Sequence, residues 1–311
     1  MTIVLAYSGG PRSASFLRRL AGEHGAEVVA LTLDIGQGGD LEQVRDSALA
    51  AGAIRAHVLD VREDFARDHL VRLLKARALY DGDRSTATMA GKPLIARRLV
   101  EIAGIERASR VAHGSAEDTD RIAAAVRALD RQLVVVAPDG APAPHAAASA
   151  PRPPAECPPQ SAFVDLTFEA GTPTALNGIA MPLLDLIGSL DILAGAHGVG
   201  RFNGLETPAH RVLEIAHCQL DRTSMTADID RASAFVRNEY LAVVDRGDWF
   251  APVRPALDAF VDVAQQRVTG RVRLELLKGE CAIVDTHVAA MPAGKPIASQ
   301  HPVTFFANAN A

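Results

Sequence analysis

Over the first 137 residues, apolar runs of strand length alternate with amphipathic runs of helix length. Ile3–Leu5, Val28–Leu33, His57–Asp60, Arg110–His113 and Leu133–Ala137 read as strands. Between them Ser13–Leu20, Leu41–Ala51, Leu94–Ile105 and Arg121–Leu129 place apolar residues three and four apart, the spacing of a helix with one buried face. Strands and helices in alternation predict an α/β domain: a parallel sheet with helices on both faces. A second pattern starts near residue 163. Phe163–Phe168 alternates apolar and polar positions and Val268–Leu277 does so again, with helical spacing over Met181–Gly195, Ala209–Leu220 and Met225–Arg246. This is the pattern of a second, α+β domain over 163–311. The Pro- and Ala-rich stretch between the two, 138–162, reads as an extended linker.

In an open parallel sheet, ligands bind beyond the carboxyl ends of the strands. Ser8–Gly10, Asp34–Gln37 and His113–Ser115 all fall at such ends, so three loops are expected around one pocket. The first is the most informative. Ala6, Tyr7, Ser8, Gly9 and Gly10 lead directly from a strand into a helix, and glycines there let backbone N–H groups and a hydroxyl approach a phosphate closely. That chemistry points to a nucleotide. Asp34 is equally suited to a nucleotide contact or to a hydrogen bond within its own loop, and Asp118 and Asp120 sit where a helix starts, the usual place for capping.

The motifs LAYSGG, LDIGQG, ALYDG, KPLIA and VAHGS occur in the order and rough spacing of argininosuccinate synthase, as do GTPTALNG, HGVGR, LETP, DWFAPVRPALDAF and QRVTGRVRLELLKG further on. The chain therefore resembles that family over most of its length. The resemblance implies a first domain like the PP-loop ATP pyrophosphatases, over 1–137, and a ligase that uses ATP and Mg2+. Such an enzyme activates the ureido oxygen of citrulline as an adenylate, and the amine of aspartate then displaces AMP. It implies nucleotide contacts from Ala6, Tyr7, Ser8, Gly9, Gly10, Ser13, Leu33, Asp34 and Gly114. It also implies a homotetramer, with the Pro-rich residues 290–303 as an arm reaching a neighbour.

Departures from the family fall on the chemistry. Its loop runs Ser-Gly-Gly-x-Asp-Thr-Ser; here Arg12 replaces the aspartate, Ser13 the threonine and Ala14 the serine. Ser8, Arg12 and Ser13 are thus the candidate catalytic groups, with Arg12 suited to pair with a phosphate directly. Among the reactant contacts Thr88 keeps a hydroxyl, whereas Arg84 stands at a tyrosine position and Lys92 at an arginine position. The family's threonine, asparagine, aspartate and arginine after the His-Gly pair have become Ala116, Asp120, Arg121 and Ala124. Arg84, Thr88, Asp120 and Arg121 are the candidate substrate-binding residues. The family's Asn-Leu-Trp-Gly segment has no counterpart, and the passage from Arg201 to Glu206 is shortened, with Leu205 at a tyrosine position. Unpaired polar groups on a buried substrate cost about 1 to 3 kcal/mol each, so these losses argue against citrulline.

Composition narrows the remaining classes. A hydrophobic content of 48% in 311 residues supplies a core for two domains, and a net charge of -5 argues against nucleic acid as a partner. No apolar run reaches the length of a membrane span, and Met1–Leu5 has no signal-peptide pattern. Cys157, Cys218 and Cys281 lack metal or disulfide spacing, which fits reduced thiols, a cytoplasmic location and no bound structural metal. Three functions are compatible: an AMP- and pyrophosphate-forming ligase with a changed reactant pair, ordinary argininosuccinate formation, or a noncatalytic nucleotide-binding or scaffolding paralogue.

Overall fold

Ile3, Leu5, Val28 and Ala30 lie on one face of a central sheet and Val4, Val29 and Leu31 on the other, all of them buried. A sheet apolar on both faces must be covered on both. The computed structural model describes residues 1–22, 25–82, 84–115, 118–138, 156–202 and 205–289, and in it the first sheet is five-stranded, parallel and ordered β3-β2-β1-β6-β7. Its strands are β1 (Thr2–Ala6), β2 (Glu27–Asp34), β3 (Arg55–Asp60), β6 (Arg110–His113) and β7 (Val134–Val136). Helices α1 (Pro11–Gly22) and α2 (Leu41–Ala50) cover one face through Phe16, Leu17, Leu20 and Ala48. Helices α5 (Ala87–Glu106) and α6 (Thr119–Leu129) cover the other through Ala96, Leu99, Ile102, Ile122 and Val126. The strand order reverses direction beside β1, which creates a crevice at the carboxyl ends of β1 and β6.

Two parts of this domain depart from the sequence pattern. Helix α5 begins at Ala87, seven residues before the expected start, and contains Pro93. The segment after β3 is helical throughout: α3 (Arg62–Phe65), one π turn over Ala66–Leu70, and α4 (Val71–Lys75). The short strands β4 (Tyr80–Asp81) and β5 (Arg84–Ser85) then pair as a hairpin leading into α5.

The second sheet is antiparallel and ordered β10-β9-β8-β13-β14. It comprises β8 (Ala162–Glu169), β9 (Thr172–Leu176), β10 (Ile179–Ala180), β13 (Gly270–Leu277) and β14 (Glu280–Val288), while β11 (Arg201–Phe202) and β12 (Leu205–Glu206) form a separate pair. Helices α7 (Leu183–Ala196), α8 (Pro208–Ser224), α9 (Ala227–Arg246) and α10 (Val253–Gln265) complete this part. One continuous core joins Val164, Leu166, Phe168, Val272 and Leu274 from the sheet to Leu186, Val212, Leu213, Tyr240 and Leu257 from the helices. Phe65, Leu70, Leu73 and Leu74 belong to the same core, so the α3–α4 segment ties the two sheets together. His69 is stacked on Trp249 at 4.8 Å, and the Arg254 guanidinium lies 3.9 Å from the Trp249 ring centre. No helix among the described residues is long and apolar enough to cross a membrane. The Pro- and Ala-rich stretch over 139–155 and the expected arm at 290–303 lie outside the described residues.

Candidate active site

The loop between β1 and α1 is held from below. Tyr7 donates its N–H to the Leu31 carbonyl at 2.8 Å, accepts from the Thr32 hydroxyl at 3.0 Å, and shares a hydrogen bond between its phenol and the Ser47 hydroxyl at 3.0 Å. Its backbone therefore fixes the loop to β2 and its buried side chain fixes it to α2. The chain turns at Gly9, whose φ of +77° and close approach to Val44 both require glycine. At Gly10 a Cβ would meet nothing nearer than the Ser8 hydroxyl at 3.6 Å, so space above the loop is open.

Ser8 donates its hydroxyl to Ser13 at 3.3 Å, and Ser13 donates to the Gly10 carbonyl at 2.9 Å. The start of α1 adds its positive dipole end, with Pro11 at the first helical position, where a missing N–H costs nothing. Arg12 is exposed in the same turn. Gly114, just past β6, completes the rim: a Cβ there would lie 3.7 Å from Ser13 Cα. At this turn Ser8 is exposed and Gly9 and Gly10 are half-buried, while Ser13 is buried beneath them with Gly114 beside it.

The loop after β2 is internally bonded. The Gly36 N–H donates to the Asp34 carboxylate at 2.9 Å, Gln37 donates its side-chain amide to the Leu33 carbonyl at 2.8 Å, and Arg62 lies 3.5 Å from Asp34. The loop hydrogen bond expected of Asp34 is thus present. Leu33 contributes its side chain to the cores on that side of the sheet.

Beyond β6 the arrangement differs from simple capping. Asp118 makes no side-chain cap bond to α6. Its carboxylate instead receives Lys92 Nζ at 2.8 Å, the Ser115 hydroxyl at 2.8 Å and Arg121 at 3.2 Å. Burial pushes the Asp118 pKa up, but Lys92, Ser115 and Arg121 together hold it below the ordinary carboxylate value. Arg121 also donates to the Asp245 carbonyl at 2.7 Å. His113 is buried beside this knot, and burial lowers its pKa, leaving the ring neutral near pH 7. Asp120 is exposed in the first turn of α6 and Thr88 in the first turn of α5. Arg84 lies in the hairpin before α5; its side chain is outside the described residues.

The first turns of α5 sit at the same edge of the sheet. A Cβ on Gly91 would lie 3.7 Å from Ile35 in the loop after β2, and Lys92 reaches the loop after β6. Three strand-end loops and the start of α5 therefore converge.

The profile described as the arginosuccinate synthase N-terminal HUP domain matches residues 2–143, and that of the C-terminal domain matches residues 138–291. The chain belongs to the argininosuccinate synthase family. It is 34% identical to the argininosuccinate synthase of Rubrobacter xylanophilus, covering 98% of this chain and 90% of that one. Against the Gloeobacter violaceus enzyme it is 36% identical, over 91% and 87% of the two chains. Against that of Bacillus thuringiensis it is 32% identical, over 90% and 86%. The alignment with the Rubrobacter protein runs over 368 residues, longer than the 311 of this chain, so the chain is internally gapped relative to it.

Arg12 stands where the resemblance implies an aspartate. Among the described residues no three His, Cys, Asp or Glu side chains converge as a metal cage. In the knot of Lys92, Ser115, Asp118 and Arg121 only the Lys92–Asp118 pair carried no sequence signal, because it forms when α5 packs beside the loop, whereas Ser115 and Arg121 each stand three residues from Asp118.

Proposed function

We propose that the protein is an ATP-dependent ligase, as its family membership supports, that adenylates an acceptor other than citrulline for attack by an amine. The observation that carries this reading is a contrast within one crevice. Ser8, Gly9 and Gly10 leave a hydroxyl and backbone accessible at the start of α1, while the cations Lys92 and Arg121 on the reactant side are already bound to Asp118.

In the proposed reaction an acceptor oxygen attacks the α-phosphorus of ATP as the bond to pyrophosphate breaks. The amine then attacks the activated carbon, AMP leaves with its oxygen, and the amine gives up a proton. The exposed Ser8 hydroxyl turns from Ser13 to donate to the departing pyrophosphate, Ser13 keeps its bond to the Gly10 carbonyl and so holds the turn, and first-turn N–H groups of α1 face the same charge. Arg12 pairs with phosphate oxygens at the position of the family aspartate, supplying positive charge from the protein itself. A preorganised donor of this kind contributes about 10²- to 10³-fold in rate. Ala6 and the backbone of Tyr7 line the nucleotide, with Leu33 and Asp34 at its far side; Thr88 and Asp120 serve the acceptor, and Arg84 is assigned to it by its place in the sequence alone. Arg121 acts through Asp118 by fixing the loop.

Pyrophosphate release from ATP, measured with ureido, amide and carboxylate acceptors, tests this. Release with a member of that set and none with citrulline plus aspartate supports it; turnover of citrulline and aspartate would restore the ordinary family reaction. Arg12 also favours a second reading, a noncatalytic nucleotide-binding or scaffolding paralogue, for which ATP would bind and no acceptor would release pyrophosphate.

A further inference from the structure

Helix α9 touches both reactant segments, and we infer that it is a brace setting their positions, with Arg237 as its positioning residue. This rests on the ligase reading. One planar guanidinium spans the turn that leads from α4 into β4: Arg237 Nε donates to the Arg77 carbonyl at 2.8 Å and Nη2 to the Tyr80 carbonyl at 2.9 Å. Asp81 lies 3.7 Å from the same group. The fork shape of arginine matches two carbonyls at once, which lysine cannot reproduce.

The turn is then passed on to the acceptor side. Thr86 donates its hydroxyl to the Ala78 carbonyl at 2.6 Å and to the Leu79 carbonyl at 3.0 Å, and its N–H donates to the Leu79 carbonyl at 3.0 Å. These bonds clasp the base of the hairpin that carries Arg84 and leads directly to Thr88. The Tyr80 phenol adds a 2.7 Å bond to Thr207. At its other end α9 meets the second reactant segment. The Asp245 carbonyl accepts from Arg121 at 2.7 Å, and Gly247, at φ +76°, lies so near that a Cβ would come within 2.6 Å of Arg121 Cα. Arg237 and Asp245 are separated by about 12 Å along the helix, so one rigid element fixes the spacing of two segments from different parts of the chain.

Arg237→Met, Arg237→Lys and Gly247→Ala test the brace, with Arg231→Ala, an exposed residue of the same helix, as control. Amide hydrogen exchange at Thr86 and Ala90 is expected to rise about tenfold in Arg237→Met, with Tyr7 and Ala14 unchanged. ATP affinity should stay within about twofold. For an acceptor from the ureido, amide and carboxylate set that releases pyrophosphate, KM should rise about fivefold or more, Arg237→Lys recovering part of it. Gly247→Ala should raise exchange at Ile122, whose N–H bonds to the Asp118 carbonyl. Unchanged exchange at Thr86 and Ala90 in a folded Arg237→Met would overturn the proposal, as would an ATP affinity that falls in step with the acceptor KM. A wild type that releases no pyrophosphate overturns the ligase reading alone, and exchange still decides whether Arg237 holds the hairpin.

Discussion

Gly9 faces Val44 across the base of the nucleotide loop so closely that a Cβ on Gly9 would lie 2.8 Å from Val44 Cγ2. The same residue has φ +77°. Two separate constraints therefore fall on one position: a left-handed backbone costs a residue with a Cβ about 1–2 kcal/mol, and branched Val44 has little rotamer freedom to retreat. Gly9→Ala should lower ATP affinity about tenfold or more and reduce the midpoint of thermal unfolding by several degrees. Calorimetric titration and a thermal scan on the same sample check it, and an alanine variant that binds ATP normally would show that the loop geometry is not what holds the nucleotide.

Arg12→Asp puts the family's own residue back in the loop. An acidic residue in the first turn of α1 is favourable to the helix, so the fold should be at least as stable. ATP affinity without Mg2+ should fall about tenfold and become strongly dependent on added Mg2+. Equal affinities in the two proteins under both conditions would remove Arg12 from the phosphate site.

His69 makes the fold acid-sensitive. Burial, with Arg254 and Arg97 nearby, lowers its pKa to about 3, and burial lowers that of His210 to about 4. The unfolded chain takes up these protons near pH 6.5 while the folded chain resists them. The stability is accordingly complete above pH 6.5 and is lost as pH falls toward the folded values. His69→Phe keeps the ring stacked between Phe65 and Trp249 and removes the proton. Between pH 7 and pH 5 it should lose about 2 kcal/mol less stability than the wild type, measured by urea unfolding. Parallel pH profiles would contradict this.

Asp221 is fully buried and paired with Arg77, which Asp230 also contacts at 2.5 Å from the half-exposed side. Gln265 donates to Asp221 at 3.2 Å and to the Lys75 carbonyl at 3.0 Å. Removing Asp221 takes one of two carboxylates from Arg77 and leaves a buried Gln265 N–H without that acceptor, so Asp221→Ala should cost about 1–3 kcal/mol. Asp228→Ala, whose carboxylate is exposed on α9, should stay within about 0.5 kcal/mol. Similar urea midpoints for the two variants would refute the role of the buried pair.

The parts of the fold that local pattern controls were legible in the chain. Val28–Leu33 is apolar on both faces, and the parallel sheet with helices on both sides follows from that. The start of α5 was hidden by Pro93, which reads as a boundary although the helix carries it in its second turn. The α3–α4 segment was hidden by its π turn over Ala66–Leu70, which shifts the helical period midway. Strand β14 lies at a sheet edge with most of its residues exposed, so it shows little alternation; only the Lys278–Gly279 turn, with φ of 48° and 94°, marks the hairpin. In the site, Ser8, Gly9, Gly10 and Ser13 were legible because they are adjacent in sequence. The pairing of Lys92 with Asp118, and of Arg237 with the carbonyls of Arg77 and Tyr80, joins residues far apart and depends on packing.

The central claim is that the loop from Ser8 to Ser13 holds ATP for chemistry. Calorimetric titration of the purified protein with ATP, with and without Mg2+, followed by pyrophosphate release on the same sample, tests it most directly. Saturable one-to-one binding that persists without Mg2+ is expected, with release to an acceptor other than citrulline. No binding of ATP under either condition would contradict it, because the cradle would then be a retained shape without its ligand.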